Sequence, residues 1–145
     1  MTCTVTLVPA EGIAALWPTI ATMLLPAVET SGGRLDLRSV YDWLIDRRYR
    51  LWLAYDADLE IKAVCVTREA RYPRRAMLAV DLCGGSMMAS WLEEIAWTLR
   101  SYARDVGLDG VEFYGREGWR RALARYGWKQ EMVLISVGVN SGGDR

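Results

Sequence analysis

Histidine is absent from this sequence of 145 residues. Its absence excludes a Ser-His or Cys-His catalytic pair and any histidine-ligated metal site. Cys3, Cys65 and Cys83 are far apart in the sequence and lack C-x-x-C spacing, which indicates reduced intracellular thiols and neither a disulfide framework nor a zinc site. We therefore expect no bound metal.

A charge excess of either sign is also lacking, as are long apolar runs. The 18 basic and 18 acidic residues give a net charge of zero, which argues against general nucleic-acid binding. No run of apolar residues approaches the roughly 18 that a membrane helix needs. The N-terminus shows no basic segment followed by an apolar stretch. We expect neither membrane insertion nor secretion by a signal peptide.

Lysine is scarce, since 16 of the 18 basic residues are arginine and only Lys62 and Lys129 are lysine. Guanidinium groups make forked contacts with carboxylates and phosphates. Two clusters, at residues 47–50 and 71–75, fall at the ends of predicted strands. They are suited to bind an acidic protein surface or a phosphate; the alternative is that they are ordinary solvated loop charges.

Tryptophan, by contrast, is abundant, with seven residues in a small chain. Four of them lie where apolar residues of predicted elements recur, and they are expected to fill the core: Trp17, Trp43, Trp97 and Trp119. Trp52 and Trp91 have neighbours that already supply an apolar face, so they are candidates for an exposed interface.

Hydrophobic periodicity predicts one α/β domain over residues 1–139 and a flexible tail over 140–145. The predicted order is β-α-α-β-β-β-α-β-α-β. The strands are expected at residues 4–8, 51–55, 60–69, 76–83, 111–114 and 132–139. The second to fourth strands follow one another too closely for a crossover helix, so they should form an antiparallel meander. The strand at 111–114 should lie parallel to the strand at 76–83.

Several residues mark where the helices begin and end. Asp36 is a predicted N-cap. Pro18 indicates either the start of the first helix or a kink in it. The Gly84-Gly85-Ser86 turn is expected to open the longest helix with Ser86 as a possible cap, and Gly107 is expected to end it.

This order of elements, together with a last short helix that ends in Gly127-Trp128, is similar to the Gcn5-related N-acetyltransferases (GNAT). In that family a glycine-rich turn after the fourth strand holds the pyrophosphate of acetyl-CoA on backbone N–H groups at a helix N-terminus. The family pattern is Arg/Gln-x-x-Gly-x-Gly/Ala. The resemblance implies that acetyl-CoA is the possible cofactor and that the residues at this turn bind it: Cys83, Gly84, Gly85, Ser86, Met87 and Met88. Met88 replaces a small residue that would lie against the phosphate.

The resemblance also implies a tyrosine on the last helix that protonates the departing thiolate. Leu123 occupies that position, which leaves Tyr126 and Tyr114 as the candidates. The amine would lie near Asp81, and the thioester would lie where the strands at 76–83 and 111–114 diverge. The candidate general bases are carboxylates on predicted strands: Asp81, Glu69 and Glu112. The alternative is that each of these carboxylates pairs with an arginine.

A narrower resemblance links the chain to small GNAT-like proteins of tailed bacteriophages and prophages. It is carried by the segments at residues 31–34, 51–55, 72–75, 83–85 and 114–119. It implies a virion, internal-core or assembly component with a degenerate acyl-CoA site, whose partners are other phage proteins or a second copy of the chain. The location implied is the bacterial host cytoplasm or the virion. The alternative is an active acetyl-CoA-dependent N-acetyltransferase acting on a host protein or a small amine.

Overall fold

The computed structural model describes residues 2–140, which form two compact units that meet in the chain between Gly115 and Arg116. The first unit comprises β1 (Thr4–Val8), α1 (Ile13–Glu29), α2 (Leu37–Ile45), β2 (Arg50–Tyr55), β3 (Ile61–Tyr72), β4 (Arg75–Gly85), α3 (Leu92–Asp105) and β5 (Gly110–Phe113). The second unit contains α4 (Glu117–Ala124). A single domain over 1–139 stays a prediction, and residues 141–145 of the predicted tail lie outside the described residues.

The strands form one mixed sheet in the order β1-β2-β3-β4-β5. Strands β1 to β4 pair antiparallel, and β5 pairs parallel to β4. The predicted α/β class, the antiparallel meander and the parallel crossover through α3 are therefore confirmed. These predictions could be made from local sequence features, because strand periodicity and loop length together leave few ways to connect the elements.

Helices cover both faces of the sheet. Successive residues of a strand point to opposite faces, so each face presents apolar side chains against which a helix can pack. Leu53 of β2 belongs to the core cluster that contains Ile20 of α1 and Val40 of α2. Its neighbour Trp52 packs edge-on against Tyr102 of α3, with the ring centroids 5.0 Å apart. The buried side chains of α3 complete this second layer: Leu92, Ile95, Ala96, Leu99 and Ala103.

The first helical stretch corrects the expectation about apolar runs. By length and composition alone, the helical residues Ala10–Glu29 could cross a membrane, with a mean hydropathy of 1.4. Four side chains of α1 belong to the core cluster: Ile13, Ile20, Leu24 and Val28. Helix α1 begins at Ile13 and includes Pro18, so Pro18 does not start it.

The helix ends agree with the sequence in one case and differ in another. Asp36 caps α2, accepting a hydrogen bond of 2.7 Å from the backbone N–H of Ser39. Helix α3 begins at Leu92 and not at the diglycine turn, because Gly84 and Gly85 are the last residues of β4. Its N-cap residue is Trp91, so the predicted cap at Ser86 is wrong. The longest helix is α1, with 17 residues.

The predicted last strand is also wrong. Within the described part of the chain, no residue of 132–139 belongs to a strand. The apolar side chains of this segment are exposed, from 66% at Val133 to 99% at Val139. Alternating apolar residues record only a local preference, whereas a strand also requires a hydrogen-bonded neighbour along its length.

Two tryptophan predictions are reversed. Trp52 and Trp91, the interface candidates, are buried, with 3% and 2% of their surface exposed. Trp97, expected in the core, is 56% exposed on α3. The indole N–H of Trp52 donates to the hydroxyl of Thr67 at 2.9 Å, which satisfies the polar atom of a buried ring.

Candidate functional site

The strands β4 and β5 diverge in the middle of β4. They pair from Met77 opposite Gly110 to Val80 opposite Phe113. The N–H of Tyr114 makes one more bond to the carbonyl of Val80, at 3.0 Å. Beyond this point β4 continues to Gly85 while β5 has ended. Asp81 and Tyr114 therefore lie where the two strands separate.

A β-bulge sets the position of Asp81. Val66 of β3 pairs with Leu82, and the next residue, Thr67, pairs with Val80, so Asp81 is skipped in the ladder. Bulges of this kind redirect a side chain from the regular alternation and occur next to active sites. The bulge explains why Asp81 reaches groups that a regular register would not bring to it.

Asp81 is held by two neighbours. Its Oδ2 accepts hydrogen bonds of 2.7 Å from the hydroxyl of Tyr49 and 2.7 Å from Nε of Arg68. Burial and then the neighbouring Asp81 carboxylate raise the pKa of Tyr49 well above its usual range. Burial lowers the pKa of Arg68, but the hydrogen bond and charge of Asp81 outweigh it and raise that pKa. The carboxylate is thus an ion-paired group with a clear structural role.

A second cluster lies beside the first. The hydroxyl of Tyr114 donates to Oε2 of Glu112 at 2.8 Å and lies 3.0 Å from the hydroxyl of Tyr72, which also bonds Glu112. Burial, followed by the hydrogen bonds to Tyr72 and Glu112, raises the pKa of Tyr114 well above its usual range. The Tyr114 hydroxyl is therefore a weaker acid than that of a free tyrosine.

The guanidinium of Arg68 connects the two clusters, since its Cζ lies 5.8 Å from the centroid of the Tyr114 ring. The six connected side chains form what we call the polar network: Tyr49, Arg68, Tyr72, Asp81, Glu112 and Tyr114. The sequence pointed to Asp81, Glu112 and Tyr114 but missed the other three. Arg68 could have been found, because a short connection between the strands at 60–69 and 76–83 brings residue 68 near residue 81.

The turn after β4 differs from a phosphate cradle. A Cβ on Gly84 would overlap the backbone oxygen of Met23 in α1, and one on Gly85 would overlap the backbone oxygen of Lys62. The N–H of Ser86 already donates to that Lys62 oxygen at 3.0 Å. These two glycines are needed for packing within the protein, whatever else the turn does.

The start of α3 is acidic. Glu93 and Glu94 lie in its first turn, where a helix dipole would otherwise attract an anion. Met87, in the left-handed region with a φ of 57°, is 68% exposed at the same end. The carbonyl of Ser86 accepts a hydrogen bond of 2.8 Å from the indole of Trp91. Cys83 is buried, whereas Gly85, Ser86, Met87 and Met88 are exposed at this turn. Binding by this stretch stays a prediction.

Tyr126 belongs to the second unit. It follows α4, and its N–H donates to the carbonyl of Leu123 at 3.0 Å. The guanidinium of Arg125 lies 5.5 Å from the centroid of its ring. Gly127 follows with a positive φ of 89°, which agrees with the predicted end of this helix. Leu123, at the position of the family's tyrosine, is buried.

Glu69, the remaining base candidate, forms an exposed ion pair with Arg71 at 2.9 Å. Within residues 2–140, no group of three or more Cys, Asp or Glu side chains is arranged to hold a metal ion. Glu69 therefore lies outside the polar network.

Comparison of structures finds the same fold in acetyltransferases. A predicted acetyltransferase from Clostridium acetobutylicum, determined with acetyl-CoA, is 11% identical, with a TM-score of 0.66 over 95% of this chain and 97% of that one. A ribosomal-protein-alanine N-acetyltransferase from Brucella melitensis is 12% identical, with a TM-score of 0.67 over 93% of this chain and 99% of that one. A GNAT family acetyltransferase from Staphylococcus aureus is 8% identical, with a TM-score of 0.62 over 96% of this chain and 100% of that one.

Sequence comparisons add nothing to this likeness. No protein-family model matches the chain, and no curated protein matches it in sequence. At these identities the similarity establishes the GNAT fold of the acetyltransferases and nothing about substrate.

Proposed function

We propose that this chain, which has the fold of the GNAT acetyltransferases, acts mainly by binding and carries a degenerate acyl-CoA site. The observation that carries the proposal is the turn after β4. Gly84 and Gly85 are packed against protein backbone, the Ser86 amide is bonded to Lys62, and two glutamates follow at the helix start. A helix N-terminus that binds a diphosphate needs unpaired amides and no competing negative charge.

The finer proposal is a virion, internal-core or assembly component of a tailed bacteriophage. Its support is the sequence resemblance of the segments at 31–34, 51–55, 72–75, 83–85 and 114–119. On this proposal the partners are other virion proteins. Mass spectrometry of purified particles from a phage that encodes the chain would detect it at constant stoichiometry. Its absence from particles would contradict the virion role.

Titration calorimetry with acetyl-CoA tests the degenerate site. We expect no heat of binding and no thermal shift at millimolar ligand. The Glu93→Gln, Glu94→Gln double variant is the informative partner, because it removes both carboxylates from the helix start and leaves the backbone unchanged. If the turn is poorly suited because of charge, this variant gains affinity. Micromolar binding by the unmodified protein would contradict the proposal.

The second candidate is an acetyl-CoA-dependent N-acetyltransferase, with a host protein or a small amine as the acceptor. It is favoured by the position of Tyr114, which follows the last paired residues of β4 and β5. A tyrosine hydroxyl in such an opening can act as a general acid if a substrate lies within hydrogen-bond reach, and its raised pKa would have to fall when the substrate binds.

Acetyl transfer to an amine, measured by thiol release, tests this candidate. Tyr114→Phe should lower kcat by about a hundredfold or more if Tyr114 is the acid. Tyr126→Phe is the matched control, because it removes the same atom from the other candidate. An equal, small effect of both changes would exclude Tyr114 as the acid, and no turnover by the unmodified protein would exclude the activity.

A further inference from the structure

A cavity of about 240 Å³ lies in the first unit, at the opposite half of β4 from the glycine turn. Four arginines line it together with one carboxylate and one aromatic ring: Arg47, Arg48, Arg50, Arg68, Glu69 and Tyr102. Leu78 of β4 also lines the cavity. This residue lies six positions before Gly84 in the same strand. Six residues of strand span roughly 20 Å, so the cavity is separate from the turn that the acyl-CoA prediction concerned.

The cavity exists because two neighbouring strands differ in length. β2 begins at Arg50, which pairs with Thr67, whereas β3 continues to Tyr72. Beyond Thr67, the side of β3 next to β2 has no further β2 partner. The turn before β2 passes this place, with Arg47 in the left-handed region at a φ of 67°. Arginines from the turn thus meet Arg68 of β3 across a gap in the sheet.

Two of the lining arginines form only exposed ion pairs, whereas Arg68 is paired with the largely buried Asp81. Arg47 lies 3.7 Å from Glu11, and Arg48 lies 3.2 Å from Asp46. The four side chains are between 46% and 77% exposed. Exposed ion pairs of this kind contribute little and exchange readily for another anion. The structure gives the guanidinium of Arg50 no ion-pair partner among residues 2–140.

Two of the guanidiniums keep their outer nitrogens for a ligand. Arg48 contacts Asp46 through Nε, and Arg68 contacts Asp81 through Nε. A guanidinium bound through Nε still has its two terminal nitrogens, which carry four of its five N–H donors. Glu69, the one carboxylate in the lining, is paired with Arg71 at 2.9 Å. The lining therefore contains four arginines and one carboxylate, although the chain as a whole has no excess of either charge.

We propose that the cavity is a binding site for a small diphosphate-type anion, either inorganic pyrophosphate or the diphosphate group of a nucleotide. Planar guanidinium forks match pairs of phosphate oxygens, and several of them around one cavity match more than one phosphate. The volume is below the roughly 300–1,000 Å³ of pockets that enclose drug-sized ligands, so the diphosphate is the part that the cavity holds. The site requires no acyl-CoA binding, and it shares Arg68 with the polar network.

Titration calorimetry with inorganic pyrophosphate at low ionic strength tests the site. We expect one site, with affinity that falls as salt is added. Arg50→Gln should weaken binding by about tenfold or more, because a charge-assisted contact is lost. Arg50 has no ion-pair partner in the described chain, so the variant should keep its unfolding temperature. Arg38→Gln on α2 is the matched control, and it should bind as the unmodified protein does.

Two further arms define the ligand. ADP in place of pyrophosphate shows which source is preferred: tighter binding of ADP assigns the site to a nucleotide, and tighter binding of pyrophosphate assigns it to the free anion. Sulfate at equal ionic strength is the comparison for unspecific attraction, and it should bind at least about tenfold more weakly, since it presents only one tetrahedral group. Sulfate binding as tight as pyrophosphate binding, or equal affinities of Arg50→Gln and Arg38→Gln, would overturn the proposal.

Discussion

The Sγ atoms of Cys65 and Cys83 lie 2.9 Å apart on directly opposed residues of β3 and β4. Both cysteines are free thiols and both are buried. The hydrogen bond to Cys83, followed by burial, raises the pKa of Cys65 well above its usual range. The sequence placed these cysteines 18 positions apart, and only the pairing of the strands brings them together.

The first prediction concerns thiol reactivity. A raised pKa lowers the thiolate fraction at neutral pH, and the thiolate is the reactive form. In the folded protein Cys65 should therefore react with iodoacetamide at least about a hundredfold more slowly than a free cysteine. After denaturation in urea it should react at the ordinary rate, and mass spectrometry of labelled peptides measures both. Rapid labelling of Cys65 under native conditions would contradict the packing described for β3 and β4.

The second prediction concerns the buried bond between Trp52 and Thr67. Thr67→Val keeps the shape of the side chain but leaves the indole N–H without its acceptor, which should lower the free energy of unfolding by about 1–3 kcal/mol. Thr67→Ser is the control, since it keeps the hydroxyl and should cost less. Urea unfolding measures both. The explanation fails if the valine variant is as stable as the serine variant.

The third prediction separates packing from cofactor binding at the glycine turn. Gly84→Ala should destabilise the protein by about 1–3 kcal/mol, because its Cβ would overlap the backbone oxygen of Met23. Gly118→Ala in α4 is the control, since a Cβ there meets nothing within 4 Å, and it should be neutral or stabilising. Thermal unfolding without ligand measures the stability of both variants. A loss of acetyl-CoA binding in Gly84→Ala would therefore say nothing about a cradle.

The fourth prediction concerns alkaline pH and the contact between Tyr49 and Asp81. The pKa of Tyr49 is raised on folding from its usual 10.0, so its contribution to stability is complete below pH 10. That contribution declines as pH rises toward the higher folded value. Tyr49→Phe should cost about 1.5–3 kcal/mol at pH 7, where a hydrogen bond to a charged group is lost. The difference between the two proteins should narrow above pH 10. Urea unfolding at pH 7, 9, 10 and 11 measures it, and a constant difference would be inconsistent with the shift.

The fifth prediction tests the wrongly predicted last strand. Ile135 is 87% exposed, so Ile135→Ser should change the free energy of unfolding by less than about 0.5 kcal/mol. Leu123→Ser in α4 is the control, because Leu123 is 4% exposed and its loss should cost about 2–5 kcal/mol. Denaturation monitored by tryptophan fluorescence measures both. A large cost at Ile135 would restore the sequence interpretation of a buried strand.

The sequence by itself determined the elements of the sheet and their connections. β1, the meander, the cap of α2 at Asp36 and the parallel return of β5 all follow from neighbours a few positions apart. Side-chain alternation, a capping carboxylate and a loop too short for a helix are local properties, and they act before distant parts of the chain meet. The GNAT resemblance could be drawn from that order for the same reason.

The tertiary structure alone decided which groups each candidate residue contacts. A one-residue bulge at Asp81 places that carboxylate against Tyr49 and Arg68. The approach of α1 to β4 leaves no room for a side chain at Gly84. The difference in length between β2 and β3 gathers the arginines around a cavity. Such contacts depend on register and on the close approach of separate elements, and a shift of a single residue reverses the face on which a side chain lies.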